Sequence, residues 1–309
     1  VVLAIVAASP KKYLNTDFDE HWNLFKTQFE KNYESEHHET MRRMIWEDNL
    51  LMIQKHNLDY DMGKKSYSLG MNEFGDWTSE EFKAHFLGLN MNLTRPNQGA
   101  KFMSPLNVES IPREIDWRTK GYVTPVKNQK HCGSCWAFST TGSLEGQYYR
   151  KNKKLVSFSE QQLVDCSRSF HNFGCNGGLM DNGFLYLEQF SLEKESDYTY
   201  TAQDGHCHYD ESKGVVKVRG YTDIEHGSEA QLQQALATVG PVSVAIDAGH
   251  RSFQFYSHGV YNERMCSSQR LDHGVLAVGY GTENGEDFFL VKNSWGTVWG
   301  QAGYIKMSR

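Results

Sequence analysis

Three residues have the types and spacing that nucleophilic catalysis requires. Cys135 begins an amphipathic run of helical spacing, His273 lies in the apolar stretch LDHGVLAVGYG, and Asn293 lies in LVKNSWG. A thiol at a helix N-terminus feels the positive end of the helix dipole, which favours the thiolate and lowers the thiol pKa. We expect Ser134 to cap that helix. A thiolate beside an imidazole base, itself oriented by a third polar group, can carry out acyl transfer.

Cys132 and Cys135 have the C-x-x-C spacing, which also occurs in zinc sites and in redox pairs. Zinc would need a second short-spaced pair of ligands, and the best candidate, the run His206-Cys207-His208, lacks a second nearby cysteine. A redox pair would favour a repeating βαβ pattern, which does not surround these cysteines. A histidine in an apolar strand and an asparagine in a turn are usually structural, but their combination with Cys135 favours the nucleophile. We expect no metal and no cofactor.

The pentapeptide Cys132 to Trp136 reads C-G-S-C-W and matches C-G-[SA]-C-[WY], the local signature of papain and cathepsin cysteine proteases. His273 and Asn293 follow Cys135 by 138 and 158 residues, near the spacing of that family. The chain therefore resembles the cathepsin L branch of the papain family. The resemblance implies that Cys135 is the nucleophile, His273 the base and Asn293 the residue that orients the imidazole.

Two further residues match the family motif around this triad. Trp295 would cover the His273–Asn293 hydrogen bond and keep water from it. Gln129 would donate a side-chain N–H to the oxyanion beside the backbone N–H of Cys135, and such a donor contributes about 3 kcal/mol. Three departures from the family pattern lie elsewhere: Lys130 replaces a glycine, Thr199 replaces the proline of Tyr-Pro-Tyr, and Phe289 replaces a tryptophan. If position 130 needs a positive φ, lysine there costs about 1 kcal/mol.

The region from residue 111 to 309 begins with the family's E-I-D-W-R and changes character near residue 220. Its first half has helical patterns, and its second half has strand patterns at 242–246, 275–278 and 288–291. This order predicts an α+β, papain-like fold with a helical lobe, a β-barrel-like lobe and the active site between them. The chain ends five residues after Tyr304 of the last W-G-x-x-G-Y motif, so we expect this peptidase domain to be C-terminally truncated.

The region 9–110 has no cysteine and has its own helical patterns. Thr16-x-x-Asp19 indicates a capping box, and an aromatic stripe follows it down one expected helix face. Thr78-x-x-Glu81 indicates the cap of a third helix. The stripe consists of Phe18, Trp22, Phe25, Phe29 and Tyr33.

Two motifs of this region resemble those of cathepsin L propeptides. The first lies on a second helix, with His38 where the family has a leading glutamate, which weakens the case for an ion pair between position 38 and Arg42; the second is a G-x-N-x-F-x-D turn. The residues are Arg42, Trp46, Asn49, Ile53 and Asn57 in the first motif and Gly70, Asn72, Phe74 and Asp76 in the second.

The resemblance implies an inhibitory helical prodomain whose residues from about 87 to 109 run through the cleft in the direction opposite to substrate. We expect acid to weaken its grip by protonating carboxylates such as Asp76. Asn92 begins an N-glycosylation sequon. Residues 1–8, VVLAIVAA, are expected to be the remnant of a secretory signal peptide.

The chain has six cysteines, and five remain once Cys135 is assigned as the nucleophile, so they cannot all pair. The resemblance implies the disulfides Cys132–Cys175 and Cys166–Cys207. It pairs Cys266 with a cysteine beyond the last residue of this chain, so Cys266 is expected to lack its partner; a natural free thiol is the alternative.

Substrate preference is also implied by the resemblance. Gly177 and Gly178 would let an extended peptide backbone approach, since glycine has no side chain to obstruct it. An uncharged pocket would accept a hydrophobic or aromatic side chain two residues before the reactive centre. The pocket residues are Leu179, Met180, Ala245, Leu271 and Gly274.

Composition limits the possible partners. The formal net charge of −6 gives no basic surface for nucleic acid, and no stretch reaches the ~20 apolar residues that span a membrane. We expect a monomer of the secretory pathway, lysosomal or extracellular, that acts on protein and peptide substrates and is inhibited by its propeptide and by cystatin-like proteins. A non-catalytic relative that binds peptidases is the main alternative, and a disulfide-rich structural module fits poorly because the cysteines are sparse.

Overall fold

The computed structural model describes residues 14–94, 99–103 and 111–309. The expected signal-peptide remnant at 1–8 and the expected junction before residue 111 lie outside these residues. Within them the chain forms an N-terminal helical unit, a helical lobe and a sheet lobe. This arrangement is the predicted α+β fold.

The N-terminal unit has three helices, of which the first two pack around an aromatic cluster of Trp22, Phe25 and Trp46 and the third packs on the core of the sheet lobe. Its elements are α1 (Asp19–Gln28), α2 (Glu36–Asp61), β1 (Tyr67–Leu69) and α3 (Ser79–Phe86). Thr78 and Glu81 form the predicted capping box at the start of α3.

Two expectations about α1 were wrong. Asn15, not Thr16, caps the N-terminal turn, which is the short 3₁₀ helix Thr16–Phe18. The helix ends at Gln28 because the chain turns at Glu30, which has φ 51°. Phe29 and Tyr33 therefore lie beyond the helix, although both still pack on the aromatic cluster.

The polar residues that share one face of α2 bind main-chain groups. Asn49 Nδ2 donates to the Gly75 carbonyl at 2.8 Å. Asn57 donates to the Leu69 carbonyl and accepts from the Leu69 N–H, both at 2.8 Å. These bonds hold the turn after β1 against α2, which explains asparagine on an otherwise apolar face.

The helical lobe surrounds a core that contains Trp136, Phe158, Leu163 and Leu187. Its helices are α4 (Cys135–Asn152), α5 (Glu160–Cys166) and α6 (Met180–Gln189). Disulfides Cys132–Cys175 and Cys166–Cys207 are both present, and they are the two pairings that the resemblance implies.

The sheet lobe has a seven-stranded sheet in the order β1-β6-β9-β8-β7-β3, with β5 also paired to β7. A separate parallel pair joins β2 to β4. The strands are β2 (Ala100–Lys101), β3 (Ile115–Asp116), β4 (Thr222–Asp223), β5 (Val242–Ile246), β6 (Tyr256–Tyr261), β7 (His273–Glu283), β8 (Glu286–Lys292) and β9 (Tyr304–Ser308). Helices α7 (Glu229–Thr238) and α8 (Arg251–Gln254) flank them.

The two lobes meet where α4 packs on β5 and β7. Ser139 Oγ donates to the Val275 carbonyl at 2.7 Å, and Ser243 Oγ donates to the Ser139 carbonyl at 2.8 Å. A Cβ added to Gly142 would come within 2.8 Å of Leu276, so glycine there permits the close approach. This contact brings the first residue of α4 beside the first residue of β7.

Candidate active site

Cys135 begins α4 and is fully buried. Its Sγ accepts a hydrogen bond from the Gly274 N–H at 3.4 Å, so strand β7 directly contacts the thiol. Ser134 occupies the N-cap position, but its side chain does not cap the helix, contrary to expectation. Its hydroxyl is instead hydrogen bonded to the Tyr200 hydroxyl at 2.6 Å.

His273 and Asn293 come from the adjacent strands β7 and β8. His273 Nε2 lies 2.8 Å from Asn293 Oδ1, and the same oxygen accepts the Ser294 N–H at 2.8 Å. Because a carbonyl oxygen only accepts, Nε2 is assigned the ring proton. Trp295 stacks on the imidazole, with ring centroids 4.7 Å apart and an interplanar angle of 28°. Nδ1 of His273 is buried without a hydrogen-bond partner among the described residues, which leaves it free to act as a base.

Gln129 is held by both lobes and by the N-terminal unit. Its Oε1 accepts from Ser294 Oγ at 2.7 Å, and its Nε2 donates to the Cys132 carbonyl at 2.8 Å. The same Nε2 donates to the Phe86 carbonyl of the N-terminal unit at 3.0 Å. Lys130, the next residue, has φ 52°, the positive value that explains the family's glycine at this position.

The segment of residues 86–94, which begins at the last residue of α3, lies across this site, and we call it the covering segment. Gly178 N–H donates to the Gly88 carbonyl at 2.9 Å, and Asn90 N–H donates to the Gly178 carbonyl at 3.3 Å. Leu89 and Gly178 thus form a parallel bridge. The covering segment faces the loop from Gln129 to Cys135, which we call the thiol loop. A Cβ on Gly88 would lie 1.9 Å from the Gly133 carbonyl oxygen of this loop, so only glycine fits between the loop and the segment.

An apolar cluster adjoins Cys135 and brings the expected pocket residues together. Three side chains of the covering segment fill it, and Gly274 faces Met180 at its edge. The cluster contains Leu89, Met91 and Leu93 from the segment, with Cys135, Leu179, Met180, Ala245 and Leu271 from the two lobes.

Comparison with known proteins identifies both regions of the chain. Residues 111–309 match the model of the papain family cysteine protease, and residues 22–82 match that of the cathepsin propeptide inhibitor domain. The chain belongs to the papain family. It is 51% identical to a cathepsin L-like peptidase of Aedes aegypti, over 100% of this chain and 94% of that protein. It is 50% identical to cathepsin L1 of Drosophila melanogaster, over 100% of this chain and 85% of that protein.

Solved structures support the same assignment. Digestive procathepsin L 3 of Tenebrio molitor larval midgut is similar with a TM-score of 0.88 at 42% identity, over 96% of this chain and 94% of that one. The chain is thus a cathepsin L-like cysteine peptidase in its proform, with the propeptide as an intramolecular inhibitor. We call residues 14–94 the prodomain from here on. No helix among the described residues is long and apolar enough to span a membrane.

In this papain-family proform, burial favours the uncharged forms of both Cys135 and His273. Burial raises the pKa of the Cys135 thiol to about 11, against the smaller effect of N–H groups that favour the thiolate. Burial lowers the pKa of His273 to about 4, although the bond to Asn293 favours the charged ring. In the covered site the shift is thus opposite in direction to the one expected from the helix dipole, because desolvation of the thiol outweighs the N–H groups that favour the thiolate.

The structure also places two of the other cysteines. Cys207 lies in a disulfide, so the run from His206 to His208 does not supply a zinc thiolate. Cys266 is a free, exposed thiol.

Sequence reasoning missed two features of the site. The Phe86 carbonyl binds the side chain of Gln129, and no residue pattern signals a main-chain contact of this kind. A group of one half-buried and three buried charged side chains lies beneath the site, and its first member in the sequence is a lysine two residues before Gln129. The group comprises Lys127, Glu145, Glu160 and Lys292.

Proposed function

We propose that this chain is the zymogen of a cathepsin L-like endopeptidase that cleaves peptide bonds through a Cys135 thioester. The observation that supports it best is the position of the covering segment. Gly88 lies against the thiol loop, and the Phe86 carbonyl occupies the Gln129 amide that would serve the oxyanion. A segment that covers the Cys135 thiol and also occupies the Gln129 amide blocks both the proposed nucleophile and the proposed oxyanion donor, as an inhibitor of this reaction would.

The proposed mechanism begins once the prodomain has left. The Cys135 thiolate attacks the peptide carbonyl carbon, and the oxyanion accepts hydrogen bonds from Gln129 Nε2 and the Cys135 N–H. Protonated His273 gives its proton to the leaving amine as the C–N bond breaks. His273 then takes a proton from water, whose oxygen attacks the thioester and releases the acid and the thiolate. Asn293 and Trp295 keep the ring oriented and dry.

We propose that Gly177 and Gly178 bind the substrate backbone and that the apolar cluster beside Cys135 selects a hydrophobic or aromatic side chain two residues before the scissile bond. The covering segment supports this, because Leu89 already pairs with Gly178 and packs on Leu179. Burying such a side chain favours binding by about 1.5–3 kcal/mol.

Ala245→Glu tests the pocket. A carboxylate at the pocket wall should attract a cation, so peptides with Arg at that position should gain in kcat/KM while those with Phe or Leu lose about tenfold or more. Selectivity would be measured on matched fluorogenic peptides, with Gln203→Glu at an exposed position as the charge control. Unchanged selectivity would refute the pocket assignment.

The remaining features belong to the same proposal. The whole propeptide, of which the prodomain is the described part, would comprise residues 9–110 and the peptidase residues 111–309, and the chain would be made in the secretory pathway for a lysosome or for release. Asn92 would carry a glycan. The enzyme would act as a monomer and be inhibited by cystatin-like proteins.

The test of the function compares the full chain with its Cys135→Ala variant at pH ~5. At this pH ordinary Asp and Glu side chains begin to protonate. The wild type should shorten by the prodomain and then hydrolyse a peptide with Phe or Leu in the second position, with the activity blocked by a thiol alkylator. The variant should stay long and silent. If the wild type also stays silent after an added protease has trimmed its prodomain, the chain is a non-catalytic relative.

A further inference from the structure

Beneath the thiol loop, two glutamate side chains each have a buried carboxyl oxygen without a hydrogen-bond donor. Oε2 of Glu160 and Oε2 of Glu195 are both inaccessible and have no partner that donates a proton within the described residues. The two side chains lie near enough for one carboxyl group to donate a hydrogen bond to the other once either of them carries a proton. An ionised carboxylate only accepts hydrogen bonds, so a bond between two of them requires one proton.

The other oxygens of the pair have well-defined donors. Oε1 of Glu160 accepts from Lys127 Nζ at 2.6 Å and from the Thr141 hydroxyl of α4. Oε1 of Glu195 accepts from the Tyr200 N–H at 2.9 Å. The Oε2 atoms are therefore the ones left for a bond between the two carboxyl groups.

Charge balance also favours a single proton. The groups that act on the pair are Lys127 and Glu145, with Lys292 a further cation of the same buried network. Lys127 bridges Glu145 at 3.0 Å, and Lys292 donates to Thr124 at 3.0 Å. Two lysines then balance Glu145 and one charge on the pair, whereas full ionisation would leave an excess negative charge away from water.

Tyr200 connects the two glutamates to the thiol loop. Its hydroxyl donates to the Gln129 carbonyl at 2.8 Å and shares a hydrogen bond with Ser134 Oγ at 2.6 Å. Gln129 is the proposed oxyanion donor, and Ser134 precedes the nucleophile. Glu195 binds the main chain of this same tyrosine.

We propose that Glu160 and Glu195 share one proton and that this protonated pair, acting through Tyr200, positions the loop from Gln129 to Cys135 for the reaction. The inference rests on the proposed function for its catalytic consequence, but the shared proton does not depend on it. Glu160, Glu195 and Tyr200 are positioning residues, since none of them touches the reacting atoms.

The pH dependence follows from burial. Desolvation raises the pKa of Glu160 to about 7, and it raises the pKa of Glu195 as well. A carboxyl whose folded-state pKa is raised stabilises the fold fully below its ordinary pKa, and this contribution is lost as pH rises through the folded-state value. The pair should therefore favour the folded enzyme in acid and weaken it near neutrality.

Glu195→Gln tests the shared proton, because glutamine keeps the acceptor for Tyr200 and supplies a permanent donor to Glu160. In the intact Cys135→Ala chain, the fall in Tm between pH 5.5 and 7.5 should be smaller than in the parent by about 2 °C or more. Glu188→Gln, an exposed change of the same charge on α6, should follow the parent. A Glu195→Gln profile parallel to the parent, whether or not its Tm is lower throughout, would overturn the proposal.

The positioning role is tested on the matured enzyme. Tyr200→Phe should lower kcat about fivefold with little change in KM, as expected for one lost hydrogen bond that orients the loop. In the pH profile of kcat, Glu195→Gln should shift the alkaline fall to higher pH. The double variant with Tyr200→Phe should lack that shift. If both variants change KM alone, the pair has no positioning role. If no variant or parent cleaves peptide, the proposed function fails, while the Tm comparison still decides the shared proton.

Discussion

At Gly88 the main chain of the prodomain passes over the Cys135 thiol with no space for a side chain. A Cβ there would meet three backbone atoms of Gly133, at 1.9 to 2.7 Å. Backbone atoms cannot move aside as a flexible side chain can. The close approach of the backbone at Gly88 thus contributes to the burial that raises the pKa of Cys135.

Gly88→Ala should lift the segment and let water reach the thiol. With a pKa of about 11, about one Cys135 in a thousand is a thiolate at pH 8. The variant should alkylate at Cys135 at least tenfold faster, as followed by mass spectrometry of its peptide in a Cys266→Ser background, since Cys266 is an exposed thiol. Asn90→Ala, at an exposed position of the same segment, is the control. Equal rates in all three chains would show that Gly88 is not what shields the thiol.

Single residues were the most predictable part of the site. Cys135, His273 and Asn293 are identified by types and spacing, and the structure brings the second and third within 2.8 Å. The thiol pKa was not predictable, because desolvation depends on what covers the thiol in three dimensions. The Glu160–Glu195 pair was missed for the same reason: glutamates 35 positions apart give no sign that they share a buried volume.

At the level of elements, an ion pair joins two prodomain helices. Arg42 of α2 makes two hydrogen bonds to the Glu81 carboxylate of α3, at 2.8 and 3.0 Å. His38 lies 3.2 Å from the same guanidinium, so Arg42 finds its charge partner on another helix rather than at position 38. Burial alone would raise the pKa of Glu81, but Arg42 and Thr78 outweigh it and lower that pKa. The pair therefore stabilises the prodomain above the ordinary carboxyl pKa and less as pH falls through the lowered value.

Glu81→Gln should weaken the prodomain at neutral pH, where the pair is fully formed. Self-processing at pH 7 should be about three- to fivefold faster than in the wild type, a modest effect because the carboxylate is 35% exposed. At the acid end of the profile the two chains should converge. Processing rates would be read from gels between pH 4 and 7, with the exposed neighbour Glu80→Gln as control. A constant ratio across the whole pH range would contradict this role.

The same acid response was expected at Asp76. Its carboxylate accepts from Lys31 Nζ at 2.8 Å and from the Tyr33 hydroxyl at 2.9 Å. These partners lie after α1, whose end at Gln28 the aromatic stripe did not predict. A hydrophobic period continues past a helix end when the following loop packs on the same core, so it fixes the face of an element better than its length.

In the whole molecule, the prodomain is a structural part of the peptidase. Its strand β1 pairs antiparallel with β6 of the sheet lobe, and the Val260 N–H donates to the Ser66 carbonyl at 3.0 Å. Arg251 at the start of α8 binds Asp48 of α2 at 3.1 Å and also Asn49. The family resemblance predicted an inhibitory unit, but strand pairing across two units cannot be derived from either sequence alone.

The intact Cys135→Ala chain should melt in one transition and at a higher Tm than matured enzyme whose thiol has been alkylated. Arg251→Ala should narrow that gap by about 2–4 °C, because it removes a charge contact between the two units. Calorimetry at pH 7 would measure both forms. Arg270→Ala, an exposed arginine of the same lobe, should leave the gap unchanged. Two separate transitions in the intact chain would mean that the units fold independently.

The backbone edge of Gly178 has a consequence for how this protein can change. The prodomain now occupies the edge that a peptide would use in the proposed reaction, and a Cβ on Gly177 would come within 2.7 Å of the Gly88 carbonyl oxygen. Inhibitor and substrate therefore constrain the same few atoms. Laboratory selection for a wider cleft or a higher catalytic rate would therefore produce precursors that are active before processing, unless the prodomain is altered in the same round.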